Sequence, residues 1–334
     1  MLSGIVKFRS TAWNKHQFNT SICPEKISHL RISLEILELM ALNLNKLTTE
    51  KFRRGRPAVW ATKRYYELRN HKLEKLFFTA TTGRSGTTSL TEIFKAVPDS
   101  ASYHEPYPIM NAQWLERASN GDEASARNYF KTVKSVYIRR GAIGARYYLE
   151  ANHLFLKTFI SPAIEEFGKK LEIIHLVRPA IEVANSIYRI GNWPGTQDGD
   201  KWWLSYHAQN NIIGIADLLD NDTRLAHPFY KALWYWYETE ARVAQYKALY
   251  PHVKFHDFNT ASFNDFEKVC RLFNDLGVCY NRNKLSFLIG TKANDIVVNK
   301  GKEGLELKDT LRMKDTFERV LESQGILSNL VQRA

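Results

Sequence analysis

The residues best suited to chemistry lie in one short run, Thr82-Gly83-Arg84-Ser85-Gly86-Thr87-Thr88-Ser89. Two glycines let the backbone turn tightly and approach an oxyanion closely. The hydroxyls of Thr87, Thr88 and Ser89 add donors, and Arg84 adds a guanidinium fork. Before the run, Leu76-Phe77-Phe78-Thr79 is apolar and β-favouring and predicts a buried strand. After it, Leu90, Ile93, Phe94 and Val97 recur at helical spacing. Strand, small-residue loop and helix N-terminus make an anion cradle. The first-turn N–H groups have no partner within the helix, and the helix dipole favours negative charge there. The plain alternative is a glycine turn between any strand and any helix. A nucleoside-triphosphatase loop is not present: that pattern needs Gly-Lys followed by Ser or Thr, and here Gly86 runs straight into Thr87. Nothing nearby marks a magnesium site.

Four further groups can serve the same anion or a reaction beside it. About twenty residues on, His104-Glu105 sets an imidazole beside a carboxylate. One βα unit after the cradle, the chain can return to the same edge of a sheet, so Glu105 can act as a general base. It can equally cap or ion-pair in a loop. The run His153-Leu-Phe-Leu-Lys157-Thr158-Phe159 predicts a second strand carrying Lys157 at its end. A third strand, Leu171–Val177, stops at Arg178-Pro179, which puts Arg178 at a carboxyl strand end and Ser186 two helical turns inside the next helix. Late in the chain, Asn299-Lys300-Gly301-Lys302-Glu303-Gly304 is a basic, Gly-containing loop.

The elements that position these groups alternate between strand and helix, which argues for a parallel sheet with ligands gathered at the carboxyl strand ends. Ser161-Pro162 predicts a helix start, with Ser161 as cap and Pro162 in the first helical position. Residues 111–145 read as helical with a charged face. The loop 191–200, rich in Gly, Asn, Pro and Asp, predicts a surface connection suited to a lid or an acceptor site. Aromatics crowd residues 202–250, among them Trp202, Trp203, Tyr206, Trp234, Tyr235 and Trp236. Most read as core, and the remainder can stack on a purine or an acceptor ring. Val253-Lys-Phe255 predicts a short strand leading to His256-Asp257, with an amphipathic helix over 263–276 after it. Residues 1–70 form a basic, helical N-terminal appendage, with an amphipathic pattern over Ile27–Leu39, and residues 71–334 form the main domain.

Composition sets bounds. A chain of 334 residues that is 44% hydrophobic can build one large α/β domain plus an appendage, and a net charge of +12 suits an anionic partner. No nucleic-acid fingerprint is visible. Cys23, Cys270 and Cys279 show no metal spacing and read as free thiols, although Cys270 and Cys279 can in principle pair. No apolar run reaches the length of a membrane span, and the opening MLSGIVKFRSTAW is too short in apolar residues for a secretory signal. A cytoplasmic protein with no membrane span is the expectation.

Together these pieces resemble one family, the sulfotransferases that use 3′-phosphoadenosine 5′-phosphosulfate (PAPS), across about residues 75–305. The resemblance implies a P-loop-like α/β fold with a central parallel sheet flanked by helices. It implies that Arg84, Ser85, Gly86, Thr87, Thr88 and Ser89 cradle the 5′-phosphosulfate. Arg178 and Ser186 match the family's 3′-phosphate motif, and Lys300-Gly301 looks like a further 3′-phosphate contact. In the cytosolic branch an aromatic residue that stacks on adenine follows the two threonines; here Ser89 stands there. That branch also carries its catalytic His in a Lys-Thr-His triplet, and here the triplet is Lys157-Thr158-Phe159. Phe159 cannot accept a proton. Branches acting on sugars and on tyrosines place a Glu shortly after the loop instead, which points to Glu105, with His104 as the runner-up. The implied reaction is metal-free in-line sulfuryl transfer, with Arg84 and Lys157 stabilising the developing charge. The implied acceptor is a hydroxyl, or else an amine, of a small metabolite such as a natural product; a glycan is the alternative. A kinase-like nucleotide binder and a non-catalytic polyanion-binding module are the readings from other classes.

Overall fold

The structure is a computed structural model that describes residues 55–290 and 303–326. The elements run as helix α1 (Arg56–Arg69), strand β1 (Lys75–Ala80), α2 (Thr87–Phe94), β2 (Ser100–His104), α3 (Gln113–Ser119), α4 (Glu123–Tyr129), α5 (Ser135–Gly141) and β3 (Tyr147–Ala151). Next come α6 (Ile160–Phe167), β4 (Leu171–Val177), α7 (Ala180–Ile190), α8 (Ala216–Asn221) and α9 (Pro228–Leu249). The chain then forms β5 (Phe255–Asn259), α10 (Phe266–Asp275), α11 (Arg282–Gly290) and α12 (Leu307–Ser323). All four strand pairings are parallel, in the order β2-β3-β1-β4-β5, and helices cover both faces.

Why β1 sits at the centre follows from its side chains. Phe77 and Phe78 are both fully buried, and successive residues on a strand point to opposite faces. Phe77 therefore packs with Leu149, Ile174 and the α2 and α10 side chains, whereas Phe78 packs with Tyr148, Ile173 and Phe155 on the other face. A strand apolar on both faces can only be interior. The edge strands β2 and β5 carry mostly exposed and half-buried residues instead.

Three expectations shift. The apolar run His153–Phe159 is not a strand. It forms a helical turn of π type at Phe155–Phe159 that continues into α6, and the strand lies just before it, at Tyr147–Ala151. A short run buried on every side satisfies either geometry, so periodicity cannot separate them. Because the helix is already under way, Ser161 is no cap: the N-cap position is Phe159, with no side-chain cap bond. The last strand begins at Phe255 and takes in His256 and Asp257, and the helix expected over 263–276 is confined to α10 after a 3₁₀ turn at Thr260–Asn264.

Helix α1 is tied to the main body. Asn70 Nδ2 donates to the Arg139 carbonyl at 2.7 Å, and Lys63 pairs with Glu166 at 2.5 Å. The amphipathic pattern over 27–39 lies outside the described residues, as does Cys23. Cys270 and Cys279 are unpaired thiols, one buried and one exposed. Among the described residues no helix is long and apolar enough to cross a membrane.

Candidate functional site

The cradle forms at the carboxyl end of β1. Gly83 and Gly86 take left-handed φ values of 83° and 74°, and Arg84 between them is held at 55°. A Cβ on Gly86 would lie 2.6 Å from the Phe263 ring, so the position needs glycine for space as well as for φ. Inside the loop, the hydroxyls of Thr82 and Ser85 meet at 2.8 Å and both reach the Gly83 carbonyl. Helix α2 then starts at Thr87 with Gly86 as its N-cap, so the N–H groups of Thr87, Thr88 and Ser89 open its first turn. His104, at the end of β2, meets the Thr87 hydroxyl at 3.0 Å through Nε2.

A second group of donors comes from β4 and α7. Arg178 follows the last residue of β4, and its Nη1 donates to the Arg84 carbonyl at 2.6 Å while its Nε donates to Glu182 at 3.0 Å. Trp236 on α9 holds the Arg178 carbonyl through its indole N–H at 2.8 Å. Ser186 on α7 accepts from Arg84 Nε at 3.1 Å. The strand order explains the meeting: β1 and β4 are neighbours and parallel, so the turns at their carboxyl ends adjoin. Lys300 and Gly301 lie outside the described residues. Just beyond them, Leu305 exchanges hydrogen bonds with the Asn185 side chain at 3.0 and 3.1 Å, beside Ser186.

The third group surrounds Glu105. It follows β2 directly, at a left-handed φ of 46°, with its N–H held by the Ala151 carbonyl at 3.1 Å. Arg84 and Glu105 are two of five non-glycine residues at positive φ among the described residues, and such conformations persist only where surrounding structure enforces them. One carboxylate oxygen of Glu105 lies 3.4 Å from His153 Nε2. The other ring nitrogen of His153 meets Lys157 Nζ at 2.8 Å. Lys157 also donates to the Tyr235 hydroxyl and, at 3.4 Å, to the Thr82 carbonyl, which Tyr235 caps as well.

Burial governs the charges. It pushes the Glu105 carboxyl above the usual carboxylate range, with His104, Lys157 and Arg84 pulling the other way. It drives His153 well below the ordinary imidazole range, reinforced by the Lys157 charge, so the ring is neutral. A neutral ring that receives the Lys157 donor at Nδ1 carries its proton on Nε2, facing Glu105. Burial likewise pulls Lys157 down, opposed by Glu105, and lifts the Tyr235 hydroxyl well above its usual range.

The structure thus brings Arg84, Ser85, Gly86, Thr87, Thr88, Ser89, Arg178, Ser186, His104, Glu105 and Lys157 to one end of the sheet. His153 and Tyr235 join them unforeseen. The i, i+4 spacing of His153 and Lys157 was the available signal, and it has meaning only on a helix. Nothing in the aromatic run singles out Tyr235. Trp203, a candidate for acceptor stacking, is buried in the core against His153 with ring centroids 5.3 Å apart, and its indole N–H is taken by the Asn192 carbonyl.

No protein-family model matches the chain, and no curated protein matches it. Among the solved structures similar to it are two sulfotransferases. One is the sulfotransferase domain from the Synechococcus PCC 7002 olefin synthase, at 14% identity and TM-score 0.41, covering 73% of this chain and 94% of that one. The other is a sulfotransferase from Alicyclobacillus acidocaldarius, at 17% identity and TM-score 0.39, covering 77% and 96%.

Proposed function

We propose that this protein is a sulfotransferase that moves the sulfuryl group of PAPS to a hydroxyl of a small metabolite. The observation that carries the reading is the contact between Arg84 and Ser186. It joins the cradle after β1 to the strand-end motif after β4, so the two groups of donors share one mouth, which supports a single ligand phosphorylated at both ends. Two guanidiniums so close repel each other, and a bound anion relieves that repulsion. A kinase-like triphosphate loop would need a lysine in the cradle and a carboxylate where Arg178 stands. The return of the chain at Leu305 beside Ser186 supports a further phosphate contact from Lys300 and Gly301.

PAPS supplies the sulfuryl group and leaves as 3′-phosphoadenosine 5′-phosphate (PAP). Glu105 takes the acceptor's proton as the acceptor oxygen bonds to sulfur and the bond from sulfur to the 5′-phosphate oxygen breaks. A carboxyl lifted by burial is a stronger base than an exposed one and better matched to neutral pH. His153, pinned by Lys157, sets its Nε2 3.4 Å from that carboxylate. Lys157 and Tyr235 also fix the Thr82 carbonyl and with it the mouth of the cradle. The loop N–H groups and Arg84 face the charge that builds on the transferring group and the departing oxygen; preorganised donors of this kind are worth a few kcal/mol each.

The direct test compares PAP, ATP and heparin in thermal shift, then assays transfer from labelled PAPS. PAP should stabilise the chain most. Glu105→Gln should bind PAP normally and lose about two to four orders of magnitude in turnover. Near-normal turnover in that variant would remove Glu105 as the base.

A further inference from the structure

A second cleft, of about 410 Å³, opens beside the Glu105 loop on the edge-strand side of the sheet. Its walls include Tyr103, Tyr107, Tyr137 and Tyr148, with Lys134 and Arg140. Three of the rings reach solvent, Tyr107 at 69%, Tyr137 at 40% and Tyr103 at 36% exposure. Tyr107 and Tyr137 meet edge to face at 5.4 Å, and Tyr103 rests tilted on Tyr148 at 5.6 Å. Aromatic surface left open in this way, walled on several sides, is a ring-binding surface rather than core.

The two cations differ in what they offer. Lys134 is buried and fully used: it pairs with Glu150 at 2.6 Å and donates to the Pro106 carbonyl at 3.1 Å. It forms the floor and ties that floor to the residue after Glu105. Arg140 is exposed and makes no ion pair among the described residues. An apolar, tyrosine-walled cleft with one unpaired guanidinium is complementary to a planar ring carrying an anionic substituent.

We infer that this cleft binds an aromatic carboxylate, its ring among Tyr103, Tyr107 and Tyr137 and its carboxylate on Arg140. As the acceptor site this rests on the proposed sulfuryl transfer, because Pro106 links the floor to the base; as a binding site it does not.

The test uses the full chain without donor and 4-hydroxybenzoate as probe, followed by calorimetry and ligand-observed NMR. Phenol and glucuronate serve as the uncharged-ring and non-aromatic-anion comparisons. Tyr107 and Arg140 are exposed, so Tyr107→Ala and Arg140→Ala should fold. 4-Hydroxybenzoate should bind more tightly than either comparison. Arg140→Ala should weaken it about tenfold, the scale of one charge-assisted hydrogen bond, and leave phenol unchanged. Tyr107→Ala should weaken both ring compounds. Absent binding, glucuronate binding as well as the probe, or indifference to both substitutions would each overturn the inference. With PAPS added, binding without transfer upholds the cleft and counts against the proposed reaction. Transfer to an acceptor whose KM ignores both substitutions does the reverse.

Discussion

Between pH 6.5 and pH 9 the protein should lose stability through one buried imidazole. His175 on β4 lies between Asp257 of β5, at 2.8 Å from Nδ1, and Glu240 of α9, at 3.0 Å from Nε2. Burial resists a charge there, but the hydrogen bonds to Asp257 and Glu240 and their charges outweigh it and raise the imidazole to about 9, against an ordinary 6.5. Asp257 is held down to about 2 by the same contact, with Lys247 also on it. The sign follows from the folded state binding the proton more tightly than the unfolded chain. The stabilisation is complete below pH 6.5 and disappears as pH climbs through about 9. The gap corresponds to roughly 3 kcal/mol at 1.36 kcal/mol per unit. Solvent around Asp257, 60% exposed, trims that figure, so about 2–3 kcal/mol is expected. Urea unfolding at pH 6.5 and 9.5 measures it, with His175→Gln removing the titration. The wild type should lose about 2–3 kcal/mol more than the variant over that interval. Asp257→Asn, which removes one acceptor and its charge, should show a smaller loss than wild type. Equal losses in wild type and His175→Gln would refute the linkage. The consequence reaches the site, because β4 ends two residues later, at Val177, and Arg178 follows it.

Other perturbations address the cradle and the base directly. Gly86→Ala drives a Cβ to 2.6 Å from Phe263 at a φ of 74°, and should cost at least the ~1–2 kcal/mol of a left-handed alanine and weaken PAP binding, read by melting and calorimetry. Arg178→Ala should weaken PAP about tenfold or more while barely changing the affinity for adenosine 5′-phosphosulfate, which lacks the 3′-phosphate. Unchanged PAP affinity would count against that assignment. Turnover should rise with pH along an acid limb lying above the usual carboxylate range, since burial lifts Glu105 and only its deprotonated form accepts a proton. A limb at the ordinary carboxylate position would show that another group is the base.

Much of the fold was legible where local signals agreed. The apolar, β-favouring run Leu76-Phe77-Phe78-Thr79 gave β1, and Leu171–Val177 ending at Arg178-Pro179 gave β4 at its observed bounds. The placement of β3 failed because Glu150 and two tyrosines disguise a buried strand, while the run behind it with Leu154, Phe155, Leu156 and Phe159 is helix. Glu150 is tolerated there because Lys134, from a separate helical segment, pairs with it, and the Tyr148 hydroxyl and Asn152 amide donate to it. No local pattern announces such a partner.

The residue types alone pointed to an oxyanion at the turn after β1. Glycines at left-handed positions, clustered hydroxyls and a helix start are local features that need no distant contact. They also placed a carboxylate one unit later and an arginine at a strand end. Only the tertiary structure decided that these groups share one mouth, because the parallel pairing of β1 with β3 and β4 brings their carboxyl ends together. Only it brought His153, Lys157 and Tyr235 behind Glu105. The contacts of His153 with Glu105, Lys157 with Tyr235 and Tyr235 with Thr82 join residues 48 to 153 positions apart in the chain, and it is burial, a property of the packed whole, that lifts the carboxyl of Glu105 and keeps His153 neutral.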